Sequence, residues 1–411
     1  MWIGIDDTDS IKGGCTTYLA ALICEEFNCK FLPRLIRLNP NIPHKTRGNG
    51  AVALNIEGSS RKIKEFTLNL IERKAHFKEV NTNPGIVFIE DIKSTDQKLL
   101  KAFYLKAVSQ YVEIKEADEL SSRISAEVHR FKNGRGVIGA LAALGSVLED
   151  RTYELIAYRN ESAKGLRKID VKSVFDMNAK TYPSTYDNVD LEEKKVLIMP
   201  RGRDPVFCGI RGESVDAVNR AWDLVKPLEG ISLVQVFETN QGTDCHLKRK
   251  GISDVMPYDC VISEGIVSRK PKTVEGGHVI FGLSDATGFL WCAAYEPTGG
   301  FRDIIRDLQP GDIVKCCGGV GRHPNTLNLE KIFISKLSKI SIASAPMCCG
   351  KRMTSAGSSK GFKCRKCGKR ASLGDVDVVD VERKLNIGWY EVPPRSRRHL
   401  SRPLIRDLNN A

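Results

Sequence analysis

At 411 residues the chain exceeds what one hydrophobic core usually serves, so about two to four domains are expected. A hydrophobic content of 41% with 27% charged residues excludes a fibrous or wholly disordered chain. Lys and Arg number 63 against 50 Asp and Glu, a formal charge of +13 that favours a polyanionic partner, nucleic acid first, although a basic enzyme without one has the same balance.

The start, Met1-Trp2-Ile3-Gly4-Ile5-Asp6-Asp7, lacks the basic run and apolar core of an export signal. The longest apolar stretch, residues 136–148, falls short of the ~20 needed to span a bilayer, so no membrane segment and a cytoplasmic location are expected. The 13 cysteines are dispersed apart from Cys316-Cys317, Cys348-Cys349 and a C-x-x-C at Cys364 and Cys367, which suggests reduced thiols plus one metal site rather than a disulfide framework.

In chain order, residues 2–5 read as a strand, and a helix with apolar Leu19, Leu22, Ile23 and Phe27 begins near Thr16. Strands at 51–56 and 85–90 and helices at 61–75 and 97–109 follow. Residues 134–148 form an Ala/Leu-rich helix behind a glycine mouth, and a strand at 153–158 closes the first domain, over residues 1–190. A polar, Pro-containing stretch at 181–193 leads to a strand at 196–199, a helix at 213–225 and a strand at 232–238, predicting a small ferredoxin-like domain over 191–256. Between 257 and 340, short Gly-punctuated strands at 260–268, 278–283, 288–294, 313–318 and 327–335, with a helical piece at 301–308, predict an OB-fold. The last region, 341–411, holds the cysteine cluster and the basic segment Arg395-Ser396-Arg397-Arg398-His399 with Arg402. The fold class is therefore multidomain α/β and α+β.

The densest chemistry follows the first strand, where Asp6, Asp7 and Asp9 repel one another unless a cation sits among them. Magnesium suits the loop, since it needs one or two carboxylates and is completed by water and phosphate; an acidic turn is the plain alternative. Gly13-Gly14-Cys15-Thr16-Thr17 opens a helix, so Thr16 is a phosphate ligand, a phosphoryl acceptor or an N-cap. Lys45-Thr46-Arg47-Gly48-Asn49-Gly50 and Gly134-Arg135-Gly136 combine forked donors with close backbone approach, which suits phosphates without matching a Walker A loop.

These segments, with Pro200-Arg201-Gly202-Arg203-Asp204-Pro205 and Glu391-Val392-Pro393-Pro394-Arg395, resemble the archaeal 2-agmatinylcytidine synthetases in the same order along nearly the whole chain. The resemblance implies a kinase-like first domain, then ferredoxin-like, OB-fold and zinc-ribbon domains. It implies phosphorylation by ATP of the C2 carbonyl oxygen of the wobble cytidine in an isoleucine tRNA with a CAU anticodon, followed by displacement by agmatine, so that the tRNA reads AUA. ATP ends as AMP and phosphate. The family's phosphorylated threonine falls on Thr16 and its metal-site aspartates on Asp6, Asp7 and Asp9. No obligate protein partner is expected.

Agmatine needs carboxylates, for which Asp204, Glu213 and Asp244 are candidates, while Arg201, Arg203 and Arg211 suit phosphate or RNA. Of Phe281, Phe289, Trp291 and Tyr295 on the barrel strands, one or two are expected to stack on bases; His278 and His323 are further surface candidates. The ribbon's first knuckle has Pro346 where a cysteine is expected. Zinc therefore takes Cys349, Cys364 and Cys367, with Cys348 joining only through a strained turn, or with water, and loss of the metal is the alternative. The rival function is a non-catalytic OB-fold and zinc-ribbon protein binding RNA or single-stranded DNA, which leaves the aspartate loop without work.

Overall fold

Short runs rich in Val, Ile and Leu build a nine-stranded sheet from strands between Trp2 and Thr239. The structure, a computed structural model, describes residues 1–45, 48–321 and 325–408. The sheet strands are β1 (Trp2–Asp6), β2 (Arg34–Arg37), β3 (Gly50–Asn55), β4 (Gly85–Ile89), β5 (Glu127–Arg130), β6 (Thr152–Arg159), β7 (Thr185–Tyr186), β8 (Val206–Gly212) and β9 (Ile231–Thr239). Their order is β5-β4-β1-β3-β2-β9-β6-β8-β7. Neighbours are antiparallel except β2 and β9, whose parallel pairing seams two antiparallel halves together.

Alternation sends the two faces of the first half into different cores. Ile3, Ile5, Val52 and Phe88 pack with α1 (Thr16–Glu26) and α2 (Ser60–Lys74). Ala51, Ala53, Val87 and Ile89 pack with α3 (Ser94–Ser109), α4 (Ile114–Arg123) and α5 (Gly136–Leu144). Helix α5 is almost wholly buried, as its Ala and Leu content requires, and lies on β1, β3 and β4. In the second half, α6 (Val171–Thr181) and α7 (Val215–Leu224) cover β6 and β8 around Phe207 and Ile210.

The strand expected to close the first domain, β6, lies between β8 and β9, deep in the second half. The strand expected at 196–199 is only Lys195–Val196, and β8 takes the place beside β6. Its glycines hid it: Gly209 faces Glu154 so closely that a Cβ would stand 2.7 Å from the carboxylate oxygen. Cys24 and Cys29 are joined as a disulfide, against the expectation of reduced thiols.

The second body is a closed barrel of β10 (Cys260–Thr273), β11 (Val279–Ser284), β12 (Phe289–Ala294), β13 (Ile313–Val320) and β14 (Thr326–Lys336). The order β10-β11-β12-β14-β13 closes by β13 on β10, with β12 and β14 parallel. Helix α8 (Phe301–Arg306) falls between the third and fourth strands and packs on β10, β11 and β12, which is the OB-fold plan. Beyond the barrel, β15 (Ile340–Ser344) pairs with β16 (Asp377–Val381) around the cysteine hairpins, and β17 (Gly388–Glu391) joins β14. Among the described residues no helix is long and apolar enough to cross a membrane.

Candidate active site

Strand β1 ends at Asp6, and Asp7 turns the chain with a left-handed φ of 58°. Asp6 Oδ1 accepts the Asp7 N–H at 2.7 Å. Its other oxygen faces α5, where a Cβ on Gly139 would stand 1.9 Å away, so glycine there lets the helix approach the carboxylate. Asp7 Oδ2 accepts the Asn83 N–H at 3.1 Å. Burial pushes the Asp7 carboxyl up to about 7; Asp9 adds repulsion, while the Asn83 amide and Arg135 oppose the shift. Asp6 is raised well above the carboxylate range by burial and by Asp7. Carboxyls in this state are relieved by a cation.

The cleft at this loop encloses about 610 Å³, open mouth included, and brings together Asp6, Asp7, Asp9, Lys45, Asn49, Gly50, Arg135 and Gly136. Ile42, Tyr111 and Ile138 give it an apolar wall. Gly48 lies behind the rim against Arg37, and Gly134 forms the turn before α5 with φ 65°. Arg47, with Thr46, lies outside the described residues. Cys15, not Thr16, is the N-cap of α1, so the cap reading of Thr16 falls. The Thr16 hydroxyl is buried and 2.9 Å from that of Thr8.

Arg201, Arg203 and Asp204 line a second cleft of about 2340 Å³, mouth included, facing Gly14, Cys15 and Tyr18. Buried Asp204 is paired with Arg167 at 3.0 Å. Glu213 and Asp244 line neither cleft: Glu213 binds Arg406 Nε at 2.6 Å and Asp244 binds Lys331 Nζ at 2.6 Å. The three carboxylates expected around agmatine are therefore not gathered, because two of them neutralise buried cations of the barrel and C-terminus. Arg211 also sits inside, 3.5 Å from Asp187 and 3.8 Å from Glu154.

On the barrel, Phe281 is core, whereas Phe289 and Trp291 stand on the outer face of β12, each 37% exposed. Their rings meet edge to face at 4.9 Å, and the Arg269 guanidinium lies 5.7 Å from the Phe289 centroid. Tyr295 packs against His278, whose Nδ1 accepts the Glu296 N–H at 2.9 Å. His323 lies outside the described residues. In the ribbon, the thiols of Cys348, Cys349, Cys364 and Cys367 all lie within 4.8 Å of one another. Cys349 (φ 50°) and Gly350 (φ 77°) make the left-handed turn that lets adjacent cysteines share one centre. Amide N–H groups of Cys367 and Lys366 draw the Cys364 thiol down to about 6, toward the ligating thiolate. Among the described residues this is the only such group of three or more ligands, so Asp6, Asp7 and Asp9 line their cleft without converging.

Arg37, Asn83, Tyr111 and His399 carry no motif; only the topology brings them to the cleft or its rim. A cleft that combines acids, arginine and a helix start, on a body joined to an OB barrel with exposed aromatics, defines a multidomain enzyme acting on nucleic acid.

Comparison with known proteins identifies which. The chain matches, in order, the family models described as TiaS TCKD domain (2–133), TiaS FLD domain (134–246), OB-fold nucleic acid binding domain (261–335) and TiaS C-terminal zinc ribbon domain (345–385). It is 43% identical to the isoleucine-tRNA 2-agmatinylcytidine synthetase TiaS of Methanocaldococcus jannaschii, over 98% of each chain. The crystal structure of a complex of TiaS with isoleucine tRNA and ATP is similar with TM-score 0.88 at 43% identity, covering 98% of this chain and 97% of that one. That of a complex of TiaS with isoleucine tRNA, AMPCPP and agmatine has TM-score 0.86 at 41% identity, covering 98% and 96%. The chain belongs to the isoleucine-tRNA 2-agmatinylcytidine synthetase family, TiaS.

Proposed function

We propose that this chain is an ATP-dependent tRNA-modifying ligase, which phosphorylates the C2 carbonyl oxygen of the wobble cytidine in the CAU-anticodon isoleucine tRNA and replaces it with agmatine. One observation carries the reading: the sequence-distant Asp6, Asp7, Asp9, Lys45, Asn49, Gly50, Arg135 and Gly136 meet in a single cleft, in a chain 43% identical over 98% of its length to a 2-agmatinylcytidine synthetase. The cytosine C2 carbonyl is urea-like and its oxygen leaves poorly. Once phosphorylated it departs as phosphate when the agmatine amine attacks C2.

Phosphoryl transfer is chiefly a matter of charge and position. Arg135 and Lys45 donate to phosphate oxygens, and the α5 dipole adds positive potential at Gly136. Ile42, Tyr111 and Ile138 receive the base of the nucleotide. Magnesium fits Asp6, Asp7 and Asp9: the raised carboxyls of Asp6 and Asp7 favour a cation, and an ion that takes one or two carboxylates does not require all three to converge. When bound, it supplies positive charge to the phosphates. Thr16 is the phosphoryl acceptor or a phosphate ligand.

Agmatine enters the second cleft, whose lining carboxylates are Asp204 and Glu161, with Arg201 and Arg203 on the RNA side. Glu213 and Asp244 lie away from both clefts and hold the buried Arg406 and Lys331 instead of agmatine. Unpaired anticodon bases stack on Phe289 and Trp291, zinc holds the ribbon through its four thiolates, and the reaction takes place in the cytoplasm. Incubation with ATP, labelled agmatine and total archaeal tRNA is expected to place label in RNA; tRNA binding without incorporation would favour the non-catalytic alternative.

A further inference from the structure

The basic C-terminal run does not point outward. Residues 393–406 return from the barrel to the large sheet, where Arg397 pairs with Asp187 and with Glu391 at 2.7 Å. Buried Arg406 meets Glu213 at 2.6 Å and Asp150 at 2.9 Å, and the carbonyls of His399 and Leu400 accept the N–H groups of Gly242 and Asp244 at 2.8 and 2.9 Å.

Between these anchors His399 enters the seam of β2 and β9. Its Nδ1 lies 2.9 Å from Gln241 Oε1. Gln241 Nε2 donates to Glu154 Oε2 at 2.5 Å, which leaves Oε1 as acceptor for both Arg37 Nε–H, at 3.3 Å, and His399 Nδ1–H. Burial, with Arg37 and Arg211 nearby, keeps the imidazole neutral. Arg37 in turn donates from Nη1 to the Gly48 carbonyl at 3.3 Å. A Cβ on Gly48 would stand 2.3 Å from that nitrogen and 3.4 Å from His399 Nε2, so the turn rests directly on both side chains. The next residues, Asn49 and Gly50, line the aspartate cleft.

We propose that His399 is a positioning residue of the nucleotide site, holding the turn at residues 48–50 against the aspartate cleft through Gln241 and Arg37. The proposal rests on the reading of that cleft as the ATP site. It links the C-terminal end of the chain to chemistry at its start, so truncation beyond Lys339 is expected to cost ATP binding as well as RNA binding.

The test uses the full chain, with ATP affinity by equilibrium titration and tRNA affinity by filter binding, for the parent, His399→Ala, His399→Asn and His399→Gln. Asn puts an amide N–H where Nδ1 stands; Gln puts it where Nε2 stands. His399→Ala is expected to weaken ATP about tenfold, the worth of one buried hydrogen bond, with tRNA affinity within about twofold. Asn should restore ATP affinity and Gln should not. Unchanged ATP affinity in His399→Ala, an equal loss of tRNA affinity, or equal behaviour of Asn and Gln overturns the proposal. If His399→Ala does not fold, the Asn and Gln pair decides alone. Asp7→Ala in the same titration separates the two layers: ATP binding at the parent level would mean the cleft is not the nucleotide site. Loss in Asp7→Ala with none in the His399 variants would remove only the positioning role.

Discussion

The aspartate cleft and the C-terminal junction draw on the same residue types, carboxylates and arginines, and use them in opposite ways. At the junction, Asp187, Asp190, Glu213 and Asp244 each face an Arg or Lys within ion-pair distance. In the cleft, Asp6 and Asp7 are steadied by backbone N–H groups but pushed toward their neutral forms. Internal charge balance makes a clamp; an internal imbalance of negative charge makes a place for a cation and its phosphates.

The contrast can be sharpened by pH. In the metal-free protein the folded Asp7 carboxyl stands near 7 against an ordinary 3.8, so the folded state keeps a proton that the unfolded chain has released. Stability should therefore fall as pH rises from 4 through 7, by at most about 1.4 kcal/mol per unit, and Asp7→Asn should flatten that slope in thermal melts. Glu330 at the junction has the opposite sign. Burial alone would raise it, but His246, Arg398 and Lys331 hold it down at about 2. Its contribution is present above the ordinary 4.5 and lost as pH falls toward 2. Melts with no slope between pH 4 and 7 would mean the cleft acids are balanced after all.

Next in size, Arg406→Ala should cost about 2–4 kcal/mol by leaving Glu213 and Asp150 without their shared cation, read as a lower Tm with agmatine transfer per folded molecule retained. A silent Arg406→Ala would show that the junction is not a clamp. Trp291→Ala should weaken tRNA binding by about 1–2 kcal/mol without changing ATP affinity, as expected for loss of one stacking platform. The smallest effect is expected at Glu213→Gln, which keeps one of the two oxygens that accept from Arg406 while Asp150 still faces the guanidinium: a loss of about 1 kcal/mol in stability and no change in KM for agmatine. A large rise in that KM would return Glu213 to the agmatine site.

Much of the cleft was legible in the sequence because its chemistry is local. Asp6, Asp7 and Asp9 crowd one loop, and Gly134-Arg135-Gly136 opens an apolar helix, so each segment shows its character over a few residues. The barrel was legible for the same reason, through strand spacing, and simple alternation along β12 puts both Phe289 and Trp291 on its outer face. The junction was not. Arg397 finds Asp187, and Arg406 finds Glu213, roughly two hundred positions upstream, and nothing near either arginine marks it as internal. Asp244 and Glu213 looked like ligand carboxylates since a sequence window cannot reveal a distant partner. Strand β8 was missed because Gly209 and Gly212 weaken its pattern, although the close approach of Glu154 requires the first of them.

The central claim, that phosphates are handled at the aspartate loop and RNA is held elsewhere, is tested most directly by measuring agmatine incorporation and tRNA affinity side by side for the parent and Asp7→Ala. Incorporation is expected to fall by about 10²–10³-fold or more, the scale for losing a group that stabilises transition-state charge, with tRNA affinity within a few-fold of the parent. Full incorporation by Asp7→Ala, or an equal loss of both activities in a folded protein, would contradict it.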